Sequence, residues 1–258
     1  MTSSSSLLCR ASGIAAALVL TAGSLRPAAE AAEVYHWDLT QSTTDLVNSR
    51  QIVPGDPGGL GPGGYTFSGG QGLSFSQAGA EVTDTYTIFL VFSLTDNNAG
   101  YQRIIDFKNK ATDQGMYVRD DFFYFFSEGP RIETPTFLPN QRIVMALRRD
   151  GATKLVSCVV NGRPLWSFVD ANDEGVFDAL FNQVRFFEDD GSEHPAGTVS
   201  KIRIYDHVLV SEFTLNPQVD RLNKAFKKAK KAKDKRKMKK IRKQLAPLMA
   251  QKAALLNP

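Results

Sequence analysis

The chain has 258 residues, a formal net charge of +4 and only two cysteines. So few cysteines exclude a disulfide-stapled scaffold and a cysteine-rich metal site, while the length is enough for one domain with its own hydrophobic core. The charge is unevenly placed: residues 33–220 hold 14 Lys and Arg against 25 Asp and Glu, whereas residues 221–258 hold 15 against one. We therefore interpret an acidic body and a basic tail separately.

The first 31 residues have the layout of a secretory signal peptide. A polar start with Arg10 precedes an apolar run over residues 13–22, and the small residues Ala29 and Ala31 resemble a cleavage site. The run is about half of the roughly 20 apolar residues that a bilayer-spanning helix needs. We therefore predict a secreted, extracellular or surface-associated protein that is not transmembrane after cleavage, and whose remaining cysteine, Cys158, cannot form an internal disulfide.

Residues 33–216 form the predicted globular domain. Short runs rich in Tyr, Phe, Val, Ile and Thr recur between clusters of Gly, Asn, Asp and Pro, which is typical of antiparallel strands joined by turns. The run at residues 86–94 is apolar on both alternations and predicts a central strand covered on both faces. Asp150-Gly151 and Asn161-Gly162 predict tight hairpin turns. The predicted strands are residues 65–67, 86–94, 101–107, 115–119, 122–126, 142–149, 153–160, 164–168, 181–187 and 198–205.

The order of these pieces resembles one family. Residues 86–94 resemble the central strand of laminin G-like domains, residues 143–168 resemble their strand, turn, strand, Asn-Gly, strand unit, and residues 197–213 resemble their final strand and short following helix. The chain is thus similar to laminin G-like and concanavalin A-like lectin domains over nearly all of residues 35–215. The resemblance implies an all-β jelly-roll sandwich of two antiparallel sheets, a fold that hosts lectins, adhesion modules and glycan hydrolases alike.

The resemblance also implies a Ca²⁺ and ligand site at the rim of the sandwich. Ca²⁺ requires several oxygen ligands, and the candidates are Asp106 at the end of one strand with Asp189 and Asp190 at the end of another, if those ends meet. A solvated acidic loop at residues 188–194 is the alternative. Sugar recognition uses polar side chains beside an aromatic platform, and the candidate residues for it are Lys108, Asn109, Tyr117, Trp166 and His194. For the two aromatic residues, burial is the alternative.

The sequence offers no recognisable catalytic motif. Retaining glucanases of this fold carry a Glu-x-Asp-x-x-Glu strand that sets two carboxylates about 5 Å apart, and this chain has none. No nucleophile triad is apparent either, and Cys158 alternates into a strand where a small buried residue is usual. An enzyme with acid and nucleophile at unfamiliar positions is the rival interpretation.

The tail, residues 217–258, predicts a lysine-rich helix or helical hairpin. Two apolar stripes at helical spacing are out of step across residues 230–237, and Pro247 is expected to interrupt or restart the helix. Its charge fits an anionic cell-surface polymer, lipid headgroups or the chain's own acidic domain, and a solvated tail without a partner is the alternative. Specific nucleic acid is not expected, because almost no aromatic residues accompany the lysines. The residues predicted to bind an anionic surface are Lys227, Lys228, Lys230, Lys231, Lys235, Arg236, Lys239 and Lys240.

Together these features predict a secreted, carbohydrate- or glycoconjugate-binding lectin-like module with a polycationic tail. A structural or adhesion module that binds a protein partner is the alternative, and a glycan hydrolase is the third.

Overall fold

The computed structural model describes residues 33–55, 58–79, 81–96, 100–119, 122–126, 129–130, 138–177, 183–209, 222–226, 228–229 and 234–256. The predicted signal peptide, residues 210–213 of the expected short helix, and Lys227, Lys230 and Lys231 lie outside these residues. Residues 31–258 belong to one compact unit.

Two antiparallel sheets form a sandwich, which confirms the predicted all-β class. The strands are β1 (Glu33–Asp38), β2 (Val53–Pro54), β3 (Gly59–Gly61), β4 (Gly64–Phe67), β5 (Leu73–Ser76), β6 (Tyr86–Leu94), β7 (Gln102–Asp106), β8 (Gly115–Arg119), β9 (Phe122–Phe126), β10 (Ile143–Asp150), β11 (Leu155–Val160), β12 (Arg163–Val169), β13 (Gln183–Phe186) and β14 (Gly197–Tyr205).

The larger sheet has eight strands in the order β12-β11-β10-β6-β14-β4-β3, and β1 also pairs with β14. Strand β14 pairs with β4 through residues 197–199 and with β1 through residues 201–205. Strand β6 lies between β10 and β14, and eight of its nine residues are buried. The prediction of a central strand covered on both faces is therefore confirmed.

The smaller sheet has six strands in the order β2-β5-β13-β7-β8-β9. The facing sides of the two sheets form one hydrophobic core that includes Trp37, Leu90, Phe125 and Ile202. Apolar side chains alternate inward along strands such as β1, β13 and β14, so a period of two in the sequence directs these side chains into the core. Strands β1, β2, β3 and β5 were not among the predicted ones.

The two predicted hairpin turns differ. Asn161 and Gly162 both have positive φ, at 50° and 75°, and connect β11 directly to β12 as a two-residue turn. The connection from β10 to β11 instead takes the four residues 151–154, of which Lys154 has φ 56°. The Asp150 carboxylate accepts a hydrogen bond from the Ala152 amide at 3.0 Å, and this bond stabilises the start of the longer loop.

The tail is helical at residues 222–226 and 228–229, and again over Lys235–Leu256. Asp234 caps the second helix, because its carboxylate accepts the Lys237 amide at 2.9 Å. Pro247 lies inside this helix, so the expected interruption there was wrong. Proline removes its own amide bond to the carbonyl of Lys243 and its ring crowds that carbonyl, and Lys243 lies on an exposed stretch of the helix. None of the helical segments in the described part of the chain combines the length and hydrophobicity of a bilayer-spanning helix.

Candidate functional site

Two of the three predicted rim carboxylates, Asp106 and Asp189, come together at the ends of neighbouring strands. Strand β13 pairs with β7 so that Arg185 lies opposite Asp106, and Asp189 follows β13 by three residues. Both carboxylates contact one guanidinium, that of Arg103. We call the polar and charged residues around Arg103 the rim cluster: Arg103, Asp106, Lys108, Asn109, Lys110, Asp113, Arg185, Glu188, Asp189, Asp190, Glu193 and His194.

Arg103 lies at the centre of the rim cluster and is fully buried. Its Nε lies 2.9 Å from Asp189 Oδ1, and its Nη1 lies 3.5 Å from Asp106 Oδ2. Nη2 reaches the carboxylate of Asp113 at 3.3 Å. A bulge in β7 between Arg103 and Ile105 shifts the register there, which turns the guanidinium towards these loops.

The buried carboxylate of Asp106 has further partners on the backbone. It accepts the amides of Lys108 at 2.7 Å and Lys110 at 2.5 Å. Burial raises its pKa, although the two amides and Arg103 oppose that shift. The carboxylate therefore shapes the loop that carries Lys108 and Asn109.

This geometry does not fit the predicted Ca²⁺ site. Asp106 and Asp189 converge as expected, but the guanidinium of Arg103 stands between them and supplies the positive charge that a cation would bring. Asp190 is exposed. No group of three or more His, Cys, Asp and Glu side chains in the described residues is arranged to hold a metal ion.

The predicted polar ligands lie on the outer part of the rim cluster. Asn109 Oδ1 accepts from Arg185 Nε at 2.8 Å, and Lys108 Nζ donates to the carbonyl of Asp173 at 3.2 Å. Glu188 joins Lys110 and Arg185 through ion pairs of 2.7 and 2.8 Å. These contacts hold Lys108 and Asn109 in place while leaving each partly exposed.

His194 and Glu193 close the other side of the rim cluster. His194 Nδ1 accepts the Asp189 amide at 3.1 Å, so its ring is fixed against the loop and is partly exposed. Burial raises the pKa of Glu193, and the neighbouring carboxylates of Asp189 and Asp113 raise it further. The acidic loop is thus packed at Asp189 and against Glu193 and His194, whereas Asp190, Gly191 and Ser192 are exposed to solvent.

Both aromatic side chains that were predicted to stack on a sugar are buried, which was the alternative prediction for them. Tyr117 is 1% exposed and stacks on Tyr124, with ring centroids 5.9 Å apart. Trp166 is 5% exposed, and its Nε1 donates to the carbonyl of Phe123 at 2.7 Å. Neither ring presents a face to a sugar, because packing leaves both rings almost without exposed surface.

The outer face of the larger sheet has a hollow that was not predicted from the sequence. It has a volume of about 190 Å³ between β6, β14 and the loop before β10. Its lining includes Val91, Ser93, Asn140, Arg142, Thr198 and Ser200. Ser93 and Thr198 are paired across β6 and β14. The signal that could have found it is the outward alternation of small hydroxyl residues on two neighbouring strands.

A groove runs along the second helix of the tail. It has a volume of about 580 Å³ and is lined by Lys235, Met238, Lys239, Arg242, Lys243 and Ala246. These positions share one helix face by their three-four spacing. Of the predicted anion-binding residues, Lys235 and Lys239 line the groove, whereas Arg236 and Lys240 are exposed elsewhere on the same helix and Lys228 on the preceding segment.

No protein-family model matches the sequence, and no curated protein matches it either. Solved structures do match the fold. The binding domain of botulinum neurotoxin serotype D has a TM-score of 0.55 at 10% identity, over 72% of this chain and 52% of that one. Domain 4 of an extracellular arabinanase from Geobacillus stearothermophilus, solved with arabinotriose, has a TM-score of 0.51 at 16% identity, over 70% and 95%.

The sialidase of Trypanosoma rangeli, solved with 2,3-difluorosialic acid, has a TM-score of 0.51 at 14% identity and is matched over 69% of this chain and 30% of that one. The chain therefore spans about half of the neurotoxin binding domain and under a third of the sialidase. At such identities the likeness establishes a shared β-sandwich fold.

Proposed function

We propose that this protein binds carbohydrate in the hollow on the outer face of the larger sheet. The observation that carries this proposal is the composition of the lining, which combines the hydroxyl residues Ser93, Thr198 and Ser200 with Asn140 and Arg142. Sugar hydroxyls need convergent donors and acceptors, and their C–H faces need an apolar floor, which Val91 offers. The volume is below the roughly 300–1,000 Å³ of drug-sized pockets, which suits a single sugar ring.

The fold supports the same class of ligand. The arabinanase domain and the sialidase, which share this fold, were solved with arabinotriose and with a sialic acid derivative. An arginine at the edge of the hollow favours a sugar that carries an acidic group, because guanidinium pairs well with carboxylate. The proposed ligand is therefore a glycan or glycoconjugate, with an acidic sugar as the preferred unit.

The rim cluster is a second place where a glycan could contact the protein. Lys108, Asn109 and His194 are fixed by their neighbours and partly exposed, which suits hydrogen bonds to hydroxyls. Catalysis there is disfavoured, since a glycosidase needs one carboxylate protonated and one free across the sugar, whereas Asp106 and Asp189 both pair with Arg103.

The tail supplies a second proposed activity, the binding of an anionic surface. Four cationic side chains, Lys235, Lys239, Arg242 and Lys243, surround a groove that Met238 and Ala246 make partly apolar. A basic face beside apolar side chains suits the interface of an anionic bilayer. The proposed role is an extracellular one, in which a secreted lectin-like module is held at a surface by this charge.

The glycan proposal is tested by screening the full chain on a glycan array and by titrating any ligand found. Thr198→Val removes one hydroxyl from the hollow without changing its shape, and Lys108→Met removes one charged donor from the rim cluster. We expect Thr198→Val to weaken binding about tenfold, with Lys108→Met and the control Ser167→Ala near wild type. If only Lys108→Met loses glycan binding, the glycan site lies at the rim cluster instead of the hollow. An array without any retained glycan contradicts the proposal and favours a protein partner.

The surface proposal is tested with vesicles that contain phosphatidylserine and with neutral vesicles. We expect binding to the anionic vesicles only, and a steep fall with added salt because counterions compete for the lysines. The double variant Lys239→Gln/Lys243→Gln should bind more weakly, with Gln244→Ala as its control. Equal binding to both vesicle types would contradict an electrostatic tether.

A further inference from the structure

The hollow on the outer face of the larger sheet lies within a longer row of polar side chains. The strand register pairs Thr198 of β14 with Thr66 of β4 on one side and with Ser93 of β6 on the other. Arg142 continues this row, because it precedes β10, whose first residue pairs with the residue before Ser93 in β6. We call these four residues the polar row: Thr66, Thr198, Ser93 and Arg142.

The polar row faces solvent. Thr66 and Arg142 are exposed, and the two members between them are half-buried. Each of the three hydroxyl residues lies between two buried neighbours in its strand, and successive residues of a strand face opposite sides of the sheet. Among the described residues, no group forms a hydrogen bond or ion pair with the hydroxyls or the guanidinium of the polar row. These donors and acceptors are therefore available to a ligand.

A β-bulge in β14 lies beside the polar row. The register of β14 against β6 shifts at Ser200, and the hydroxyl of Ser200 donates to the carbonyl of Val91 at 3.2 Å, which holds the bulge against β6. Both residues line the hollow, together with three members of the polar row. The fourth member, Thr66, lies one strand beyond the hollow. The polar row therefore extends past the hollow on the side of β4.

The polar row is longer than one sugar ring. Neighbouring strands lie about 4.8 Å apart, so positions on β4, β14, β6 and at the start of β10 span about 14 Å. The hollow, at about 190 Å³, suits a single ring. A ligand that also contacts Thr66 must continue out of the hollow across the sheet, which a linear chain of sugars can do.

Two cations lie beside the hollow on this face. Arg142 lines the hollow itself. Lys201 of β14 pairs with Val91, which also lines the hollow, and paired residues share one face of a sheet. Asp38 pairs with Lys201 from β1 and offsets part of its charge, so Arg142 is the main cation. Hydrogen bonds from a guanidinium to a carboxylate are stronger than those to a neutral hydroxyl, and this charge therefore favours an acidic chain.

We infer that the glycan site takes a linear acidic oligosaccharide that lies across the strands along the polar row. One ring occupies the hollow, the next ring contacts Thr66, and an acidic group pairs with Arg142. This inference rests on the proposed glycan function and deepens it. Thr198 contacts every ligand of the hollow, whereas Thr66 contacts only ligands longer than one ring, and this difference makes the two proposals separable.

The test titrates the full chain by calorimetry with oligogalacturonates, which are linear acidic sugar chains, from the monomer to the tetramer. Neutral cello-oligosaccharides of the same lengths are the comparison. Thr66→Val removes a hydroxyl from the far end of the polar row without changing the shape of the side chain, and Arg142→Gln removes the charge. Ser167→Ala and Arg163→Gln are matched controls, because both residues are exposed on β12 at the opposite edge of the sheet.

We expect the affinity for oligogalacturonates to rise at least about tenfold from the monomer to the tetramer, and the neutral chains to bind more weakly at each length. Thr66→Val should weaken the binding of the tetramer about fivefold to tenfold and leave the monomer unchanged, whereas Thr198→Val should weaken both. Arg142→Gln should weaken every oligogalacturonate at least about tenfold. Both controls should match wild type.

The inference is overturned if the monomer and the tetramer bind equally, or if Thr66→Val binds the tetramer as wild type does. It is also overturned if cello-oligosaccharides bind as tightly as oligogalacturonates, or if no oligogalacturonate binds. In each of these cases the proposed function stands if the glycan array retains a ligand whose binding Thr198→Val weakens, so the two failures are distinguishable.

Discussion

Arg149 donates from Nε to the Asp170 carboxylate at 2.8 Å, and both side chains are at most 1% exposed. The same carboxylate accepts the amides of Glu174 and Gly175 at 2.8 and 3.1 Å. Arg149 also donates to the carbonyl of Asp84. One buried ion pair thus joins the end of β10 to the loop before β6 and the loop after β12.

We predict that Asp170→Asn destabilises the protein by about 3 kcal/mol, because it removes the buried counter-charge of Arg149 and leaves only the half-exposed carboxylate of Asp173. Asp173 also contacts Arg149 but has a side chain that is 47% exposed, so Asp173→Asn should have little effect. Urea denaturation measures both variants. Equal losses in the two would show that burial does not determine the contribution of each carboxylate.

The rim cluster predicts a second, pH-dependent loss. Arg103→Met removes the shared partner of Asp106 and Asp189. We expect it to lower the free energy of unfolding, measured by urea denaturation, by about 3–5 kcal/mol near pH 7. The burial that already raises the pKa of Asp106 would then act without opposition from Arg103, so the loss should shrink as the pH falls towards about 4 and Asp106 takes up a proton.

The double variant Arg103→Met/Asp189→Asn controls this interpretation, because it removes one of the stranded charges together with the arginine. We expect it to recover part of the stability that Arg103→Met loses near neutral pH. A double variant less stable than the single one would indicate that Arg103 acts through packing alone.

The fold could be predicted because most of its strands are apolar on at least one alternation. The segment predicted at residues 86–94 coincides with β6, because a continuous apolar run indicates a strand covered on both faces without knowledge of its neighbours in the sheet. Strand β1 was not predicted: its sequence EVYHWD mixes charge with aromatic residues, and Tyr35 and Trp37 are buried only in the folded sandwich, where β1 pairs with β14 and both rings contact Phe75. Short strands such as β2 depend on pairing in the same way.

The site was less predictable, because it depends on which residues the strands bring together. The proximity of Asp106 and Asp189 followed from strand ends, but Arg103 between them did not, since an arginine in a short strand normally faces water. The hollow requires β6 and β14 to be neighbours, although they are about a hundred residues apart in the chain. Local patterns contain no information on that pairing.

A glycine next to the hollow gives a third prediction. Gly64 has φ 122°, and a Cβ there would lie 2.3 Å from the carbonyl oxygen of Val199. We therefore expect Gly64→Ala to lower the free energy of unfolding, measured by urea denaturation, by more than about 1 kcal/mol. The variant should also weaken the binding of any ligand in the hollow. A Cβ at Gly59, which does not line the hollow, would meet no heavy atom of the described residues within 4 Å, so Gly59→Ala is its control. Similar losses in both variants would contradict the steric explanation.

Glu193 and Glu33 predict opposite dependences of stability on pH. Burial and the carboxylates of Asp189 and Asp113 raise the pKa of Glu193. Partial burial acts in the same direction at Glu33, yet the hydrogen bond and charge of His36 and the charge of Arg203 outweigh it and lower the pKa of Glu33.

Because the pKa of Glu193 is raised on folding, its contribution to stability is present at low pH and is lost as the pH rises through the pKa of the folded state. The pKa of Glu33 is lowered on folding, so its contribution is present above the pKa of the unfolded state and is lost as the pH falls. Relative to wild type, Glu193→Gln should therefore gain stability as the pH rises from about 3 to 7, and Glu33→Gln should lose it. Unfolding free energies at each pH measure both slopes. The same sign of slope in the two variants would show that the acidic loop around Glu193 does not hold its carboxylates close together in solution.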